Sequence, residues 1–485
     1  MEKLSELDAL FLASETPTQH LHVLATLVLD RSKVPGVWDY GTFRTRLAER
    51  FHLVEPMRRR PVQPPLSRPY WEVDPDLHID RHLHHLVLDG GGLPALAAAA
   101  GEIASFPLAR DRPLWEAWFV EGMTDHEVAV ISKMHHCAVD GVSGIYVLGA
   151  FLDIEPFPSG PAADPADPVA DPVDAADDEG EDHHADAMGT VITAGASRPG
   201  PVELGRSSIV DLARQPLRTV RGIRRIGGSV LATASARSRS APLPFSAPRQ
   251  SYNHALTPRR TVAFTTIRFD DIKQIRRGLG ASVNDVLVAL CAGVLRRYAE
   301  RHGEIPGRPL VAAVPISERR PEHGAVGNQI SFMFYALPVH LADPVERLEE
   351  VTRSATEVKD LYDRAGTGLM RGLAAVAPSG VVGPLMRLVS GMRVADVAPP
   401  VANVLISNIR GPDLPLYMAG AELTTIFPMG PLAEGIGLGL TVVSYRDSVA
   451  LGFIGCTDLM EDMDELVELT DVEVATMLDT VASLD

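Results

Sequence analysis

Two stretches of the chain carry the same pattern. "HHCAVDG" runs from His135 to Gly141, and "HHLVLDG" runs from His84 to Gly90. In each, three residues separate the second of two histidines from an Asp-Gly pair. Imidazole has an ordinary pKa near ~6.5, so its base form dominates at neutral pH and can take a proton from a hydroxyl. Asp-Gly favours a tight turn. A base on such a turn works only where the chain holds it in a cleft, so the elements around each copy decide between them.

The later copy ends an apolar run, Val128 to Ile131, in a strand expected over Glu127 to His136. "GVSGIYVLGAFLDI" follows, with Ile145, Leu148 and Leu152 at helical spacing. Turns at the ends of rigid elements are where reactive side chains tend to sit. In extended chain His135 and His136 point to opposite faces, so one of them faces a given substrate. His136 has the required spacing to Asp140. The alternative is an N-cap aspartate beside a buried, hydrogen-bonded histidine. The earlier copy lies among His78, His82 and charged residues and runs into "GGGLP". No helix start is expected there. It reads as extended chain entering a flexible loop, without a catalytic role.

The chain around these copies has 485 residues, 46% hydrophobic and 22% charged, values of a globular protein. A net charge of −18 argues against a nucleic-acid partner, since phosphates need a basic surface. Three cysteines, Cys137, Cys291 and Cys456, suit a reduced, cytoplasmic protein without a disulfide framework. The opening "MEKLSELDALFLASE" carries acids where a secretory signal needs a basic start. The most apolar stretch, Leu369 to Val389, is interrupted by two arginines and two prolines, so no membrane span is expected.

Residues 158–200 begin with an acidic, Asp-Pro-rich run and read as a disordered linker between an N-terminal lobe, 1–157, and a second part, 201–485. From Pro158 to Met188 this run holds ten acids and no Lys or Arg, so much of the net charge is local. Arg206 to Gly228 then places Ile209, Ala213, Leu217, Val220, Ile223 and Ile226 at helical steps among six arginines. That is a basic amphipathic helix, suited either to a lipid surface or to packing with a solvated arginine face. Elsewhere strands and helices alternate. His22 to Asp30 reads as a strand, and Ser282 to Gly303 as a helix capped by Ser282. "LGLTVVSY" and "SVALGFIGC" read as a hairpin turning at Arg446-Asp447. The class is mixed α/β.

Other chemistries fit poorly. His135, His136 and Asp140 lack a fourth metal ligand at suitable spacing. Cys137 and His136 diverge in extended chain and make no nucleophile–base dyad. "GIGLGL" at Gly435 lacks the strand-turn-helix setting of a dinucleotide loop.

"HHCAVDG" resembles the active-site motif of the CoA-dependent acyltransferase superfamily, and the chain is most similar to the bacterial wax ester synthase/diacylglycerol acyltransferases. The resemblance rests on "LSELDALFLASETPTQHLHV" (Leu4 to Val23), Pro113-Leu114-Trp115, the His-His motif, Asn284-Asp285, "GNQIS" (Gly327 to Ser331) and "NVLISNIRGP" (Asn403 to Pro412), in that order along nearly the whole chain. The acidic linker is a departure in detail. The resemblance implies two chloramphenicol-acetyltransferase-like lobes with the active site at their interface. It implies an O-acyltransferase that takes long-chain acyl-CoA as substrate, needs no cofactor, and acylates diacylglycerol or a fatty alcohol. In that reading His136 is the general base, His135 supports it, Asp140 orients the turn and Gly141 allows close backbone approach. Pro113, Leu114 and Trp115 are structural or bind substrate. Asn284 and Asp285 bind substrate, or Asp285 completes the cap begun by Ser282. The expected location is cytoplasmic, peripheral at a membrane or lipid droplet. Acyl transfer to another alcohol, and a lipid-surface protein with an inactive site, are the competing readings.

Overall fold

The computed structural model describes residues 2–64, 68–139, 141–157, 242, 245–317, 330–365 and 379–484. The acidic linker, the basic amphipathic stretch and Asp140 lie outside the described residues. The first half runs β1 (Glu2–Lys3), α1 (Glu6–Ser14), β2 (His22–Asp30), α2 (Tyr40–Arg50), β3 (Arg59–Val62), β4 (Tyr70–Val73), β5 (Leu83–Val87), α3 (Gly92–Ala104), β6 (Trp115–Glu121), β7 (Glu127–His135) and α4 (Gly141–Phe151). The second half runs β8 (Arg260–Arg268), α5 (Phe269–Leu279), α6 (Val283–Arg301), β9 (Leu310–Ser317), β10 (Ile330–Leu337), α7 (Pro344–Ala365) and α8 (Ser379–Gly391). It continues through β11 (Val404–Arg410), β12 (Tyr417–Met418), β13 (Ala421–Met429), β14 (Leu438–Tyr445), β15 (Ser448–Cys456) and α9 (Asp464–Leu484).

Two six-stranded sheets result. One has the order β12-β13-β2-β7-β6-β5, the other β10-β9-β11-β14-β15-β8. β2 and β7 are central and largely buried, as expected of strands covered on both faces. The buried cation inside β7 is Lys133, which is 1% exposed. Its ammonium donates to the carbonyls of Ile103 and Phe106 at 3.0 and 2.7 Å, which offsets its burial.

The stretch 201–485 contributes to both sheets. β13 pairs antiparallel with β2, Glu422 facing Asp30 and Met429 facing Leu24. It also carries the contact between the lobes, with Phe427 stacked on Phe264 of β8 at 4.5 Å. Gly452 of β15 permits this approach, because a Cβ there would stand 2.0 Å from the Pro428 carbonyl oxygen. One apolar core therefore spans the first sheet and the facing side of β8, β14 and β15, and a second fills the far side beneath α5, α6, α7 and α9.

Local expectations hold at several elements. The hairpin pairs Tyr445 with Ser448, and Arg446 turns it with φ 51°. Ser282 caps α6 by accepting the Asp285 N–H at 3.1 Å. Among the described residues no single helix is long and apolar enough to cross a membrane.

The earlier HHxxxDG copy corrects one expectation. A helix does follow it: α3 starts at Gly92, with Pro94 in its first turn. Gly90 and Gly92 take φ of +97° and +85°, which lets the chain double back without a loop. Proline suits a first turn because its missing N–H would have no helical partner there. Both copies are thus strand-turn-helix. The earlier one sits on β5, the edge strand, where His84 stacks on Trp118 at 4.1 Å. His85 bonds Glu121 at 2.8 Å with its side chain 41% exposed.

Candidate active site

β7 ends between two neighbours that fix its last residues. The His135 N–H donates to the Leu114 carbonyl at 3.0 Å, and the His136 N–H donates to the Leu21 carbonyl at 2.9 Å. The two rings then find different surroundings against one element. His136 is 7% exposed and stacks on Phe11 of α1, with centroids 4.6 Å apart and planes at 22°. His135 is buried, and its Nε2 meets Glu15, the residue that ends α1, at 3.1 Å. Alternation separates the rings less than extended chain would, because His136 stands beyond the end of the strand. Gly141 opens α4 five residues on.

The ionisation of His135 follows from its partners. Its Nδ1 accepts the Cys137 N–H at 3.0 Å. A nitrogen that accepts cannot also carry the proton, so the proton sits on Nε2 and points at Glu15. Burial lowers the pKa of this imidazole, only partly opposed by the Glu15 carboxylate. Burial alone would raise the Glu15 carboxyl, but His135 and Arg110 together hold it below its ordinary value. Burial pushes the Cys137 thiol up well above its ordinary value, as suits an inert core cysteine.

The Pro-Leu-Trp motif supports this strand end from beneath. Leu114 supplies the carbonyl that His135 bonds and packs with Leu4, Leu12 and Cys137. Pro113 closes the turn, its carbonyl accepting the Trp115 N–H at 2.9 Å. Trp115 is 2% exposed, donates its indole N–H to the Met57 carbonyl at 3.0 Å, and stacks on His82 at 4.3 Å. These three residues make no polar side-chain contact with His136 that would bring them into the chemistry.

Asn284 and Asp285 start α6, and their side-chain hydrogen bonds among the described residues go to Asn408 and Ser282. Asp285 accepts from the Ser282 hydroxyl at 2.7 Å while Ser282 accepts the Asp285 N–H, so the cap accounts for Asp285. Asn284 Oδ1 accepts from Asn408 Nδ2 at 3.2 Å, which ties this motif to "NVLISNIRGP". In that second motif Asn403 is structural: it is fully buried, accepts the Val311 N–H and donates to Asn253.

Phe11, Glu15 and Arg110 escaped sequence reasoning. Nothing in their spacing relates them to residue 136, and the one signal was the family-like opening stretch that contains Phe11 and Glu15. The same holds for the strap 16–20, which joins α1 to β2 and binds the second lobe. Arg260 donates to the Thr18 carbonyl, and the Thr18 and Ser390 hydroxyls share a bond of 2.7 Å. The Glu434 N–H donates to Gln19 at 2.6 Å, and His20 Nε2 bonds the Pro258 carbonyl at 3.3 Å. Leu21, which holds His136, follows directly. The histidine therefore stands where the lobes meet. Among the described residues no group of three His, Cys, Asp or Glu is placed to hold a metal ion.

Two lobes, a strap between them and a histidine at the end of a central strand define a chloramphenicol-acetyltransferase-like acyltransferase. The comparisons agree. The solved wax ester synthase/diacylglycerol acyltransferase from Marinobacter aquaeolei VT8 superposes with a TM-score of 0.69 at 23% identity, over 99% of this chain and 100% of that one. The first condensation domain of the calcium-dependent antibiotic synthetase superposes with 0.56 at 15% identity, over 99% and 96%. Both likenesses concern the fold. The family model described as wax ester synthase/diacylglycerol acyltransferase catalytic domain matches residues 4–287, and that of the WS/DGAT C-terminal domain matches 326–477. A Mycobacterium tuberculosis H37Rv protein named for diacylglycerol O-acyl transfer is 34% identical over 471 residues, 96% of this chain and 87% of the relative. A second so named is 31% identical over 473 residues, 96% and 93%. The chain belongs to the wax ester synthase/diacylglycerol acyltransferase family, and it is an acyl-CoA-dependent O-acyltransferase.

Proposed function

We propose that the chain moves a long-chain acyl group from acyl-CoA to the hydroxyl of diacylglycerol, of a fatty alcohol, or of both, with His136 as general base. The observation that carries this reading is the placement of His136 at the end of β7, beside the strap that joins the lobes. The imidazole takes the hydroxyl proton as the alcohol oxygen attacks the thioester carbonyl. The tetrahedral intermediate collapses, the C–S bond breaks, and the imidazolium returns its proton to the CoA sulfur. The products are an ester and free CoA. Such a base contributes about 10²- to 10⁴-fold in rate. His135, neutral and buried, supports the turn and leaves the proton transfer to His136.

Thiol release from palmitoyl-CoA, with diacylglycerol and hexadecanol offered separately, tests the reading. Turnover with either alcohol, abolished by His136→Ala, supports it. Absence of turnover with both overturns the assignment of acceptor.

A second part of the reading concerns location. We infer that the protein works from the cytoplasm at a lipid surface, because Val381, Leu385 and Leu388 of α8, with Met392 just past its end, face solvent. Arg387 is exposed beside them. An apolar stripe with flanking cations suits an anionic lipid interface. α8 also packs on α1, the helix against His136. Co-flotation with anionic vesicles, lost in Leu388→Glu, is the expected behaviour. Unchanged flotation of that variant would refute it.

A further inference from the structure

Among the described residues, three backbone N–H groups fasten the turn that carries His136. The His136 N–H is held by Leu21, the Ala138 N–H donates to the His135 carbonyl at 2.9 Å, and the Cys137 N–H donates to His135 Nδ1 at 3.0 Å. The third differs from the others, because a side chain that exists in two neutral tautomers supplies the acceptor. With the proton on Nδ1 the Cys137 N–H would face another donor in a buried site, and the turn would lose its anchor. What selects the useful tautomer is the group facing Nε2, and that group is the Glu15 carboxylate at 3.1 Å.

Glu15 is itself held in place. Arg110 pairs with it and donates to the Leu12 carbonyl at 2.9 Å, one turn back on α1. The Glu15 side chain is 10% exposed, so the contact is little screened. Phe11, four residues earlier, stacks on His136. The end of α1 thus touches both histidines, one through a ring and one through a charge.

We propose that Glu15 is a positioning residue for acyl transfer: its carboxylate holds His135 with the proton on Nε2, so that Nδ1 fastens Cys137 and the turn presents His136. This rests on the reading of His136 as the base. Nothing is transferred through Glu15, and the chain Glu15, His135, Cys137 acts on His136 by geometry alone. A small misplacement of a catalytic group is costly because the reacting atoms must meet within a few tenths of an ångström.

The test uses the full chain with palmitoyl-CoA and the acceptor that supports turnover. Glu15→Ala should lower kcat about 10- to 100-fold with the KM for palmitoyl-CoA within about twofold. Glu15→Gln keeps a carbonyl oxygen for the Nε2–H and should recover most of the rate. In a His135→Gln background, Glu15→Ala should have no further effect. Nitrogen-15 spectra of the histidine rings should show His135 protonated on Nε2 in the native protein and in mixed tautomers in Glu15→Ala. A native kcat in Glu15→Ala, a change confined to KM, or independent losses in the double variant would overturn the proposal. The His136→Ala variant separates the two readings. If it stays active, the assignment of the base fails. If it is inactive while Glu15→Ala is native-like, only the role of Glu15 fails.

Discussion

The ring of Phe11 lies over that of His136 with centroids 4.6 Å apart, so the first helix of the chain forms one wall of the site. Stacked ring pairs contribute about 0.5–1.5 kcal/mol beyond the area they bury. Phe11→Ala frees the imidazole on that side and should lower kcat/KM about tenfold, equivalent to ~1.4 kcal/mol. Steady-state thiol release measures it, and a native kcat/KM would remove Phe11 from the site.

The two HHxxxDG copies make opposite predictions. His136→Ala should cost about 10²- to 10⁴-fold in kcat. His85→Ala, at an exposed edge, should leave kcat within about twofold, since surface changes rarely cost more than ~0.5 kcal/mol. Equal losses in the two variants would contradict this assignment.

At the start of α6 the expected effect is on stability. Ser282→Ala and Asp285→Ala each remove part of the cap and should lower unfolding free energy by about 1 kcal/mol. Urea denaturation gives the values. If Asp285→Ala abolishes turnover while leaving the urea midpoint unchanged, Asp285 belongs to the chemistry instead.

Glu473 is 1% exposed and binds both Arg347, itself buried, and Arg297. Replacing it with alanine strands the Arg347 charge in the core between α6, α7 and α9. The expected loss is about 3–5 kcal/mol. Thermal unfolding of Glu473→Ala within a degree of the native protein would show that the arginines find other partners.

Acid should destabilise the fold through buried histidines. Burial lowers His20 to about 4, and burial also depresses His22 well below its ordinary value. Neither ring nitrogen of His22 has a hydrogen-bond partner among the described residues. Both groups bind protons more readily when unfolded, so their stabilisation is complete above the unfolded value of ~6.5 and is lost as pH falls toward 4. Urea midpoints should decline over that window, and His22→Leu should flatten the decline. An unaltered slope in His22→Leu would assign the acid limb to other groups.

Much of the local structure could be read from the sequence, for a local reason. Strand β7 is an apolar run, Ser282 caps α6 through its own third neighbour, and the β14–β15 hairpin turns on two residues. Each depends on side chains within a few positions of one another. The earlier histidine copy shows where such reading stops. Its glycines suggest a loop, yet they turn the chain into α3, so the motif and its immediate setting are nearly the same in both copies.

What sets the copies apart is sheet order. β5 pairs with β6 alone and leaves His85 at an edge, while β7 lies between β2 and β6 and delivers His136 to the meeting of the lobes. That order depends on pairings between segments far apart in the chain, as between β2 and β13, and on a packed strap that brings Thr18 to Ser390. The sequence by itself determined the α/β elements, the family-like motifs and the residue suited to be a base. Tertiary structure decided which histidine pair is enclosed, and it set Phe11 and Glu15 against that pair. Burial, stacking and the tautomer of His135 arise only when distant segments share one core.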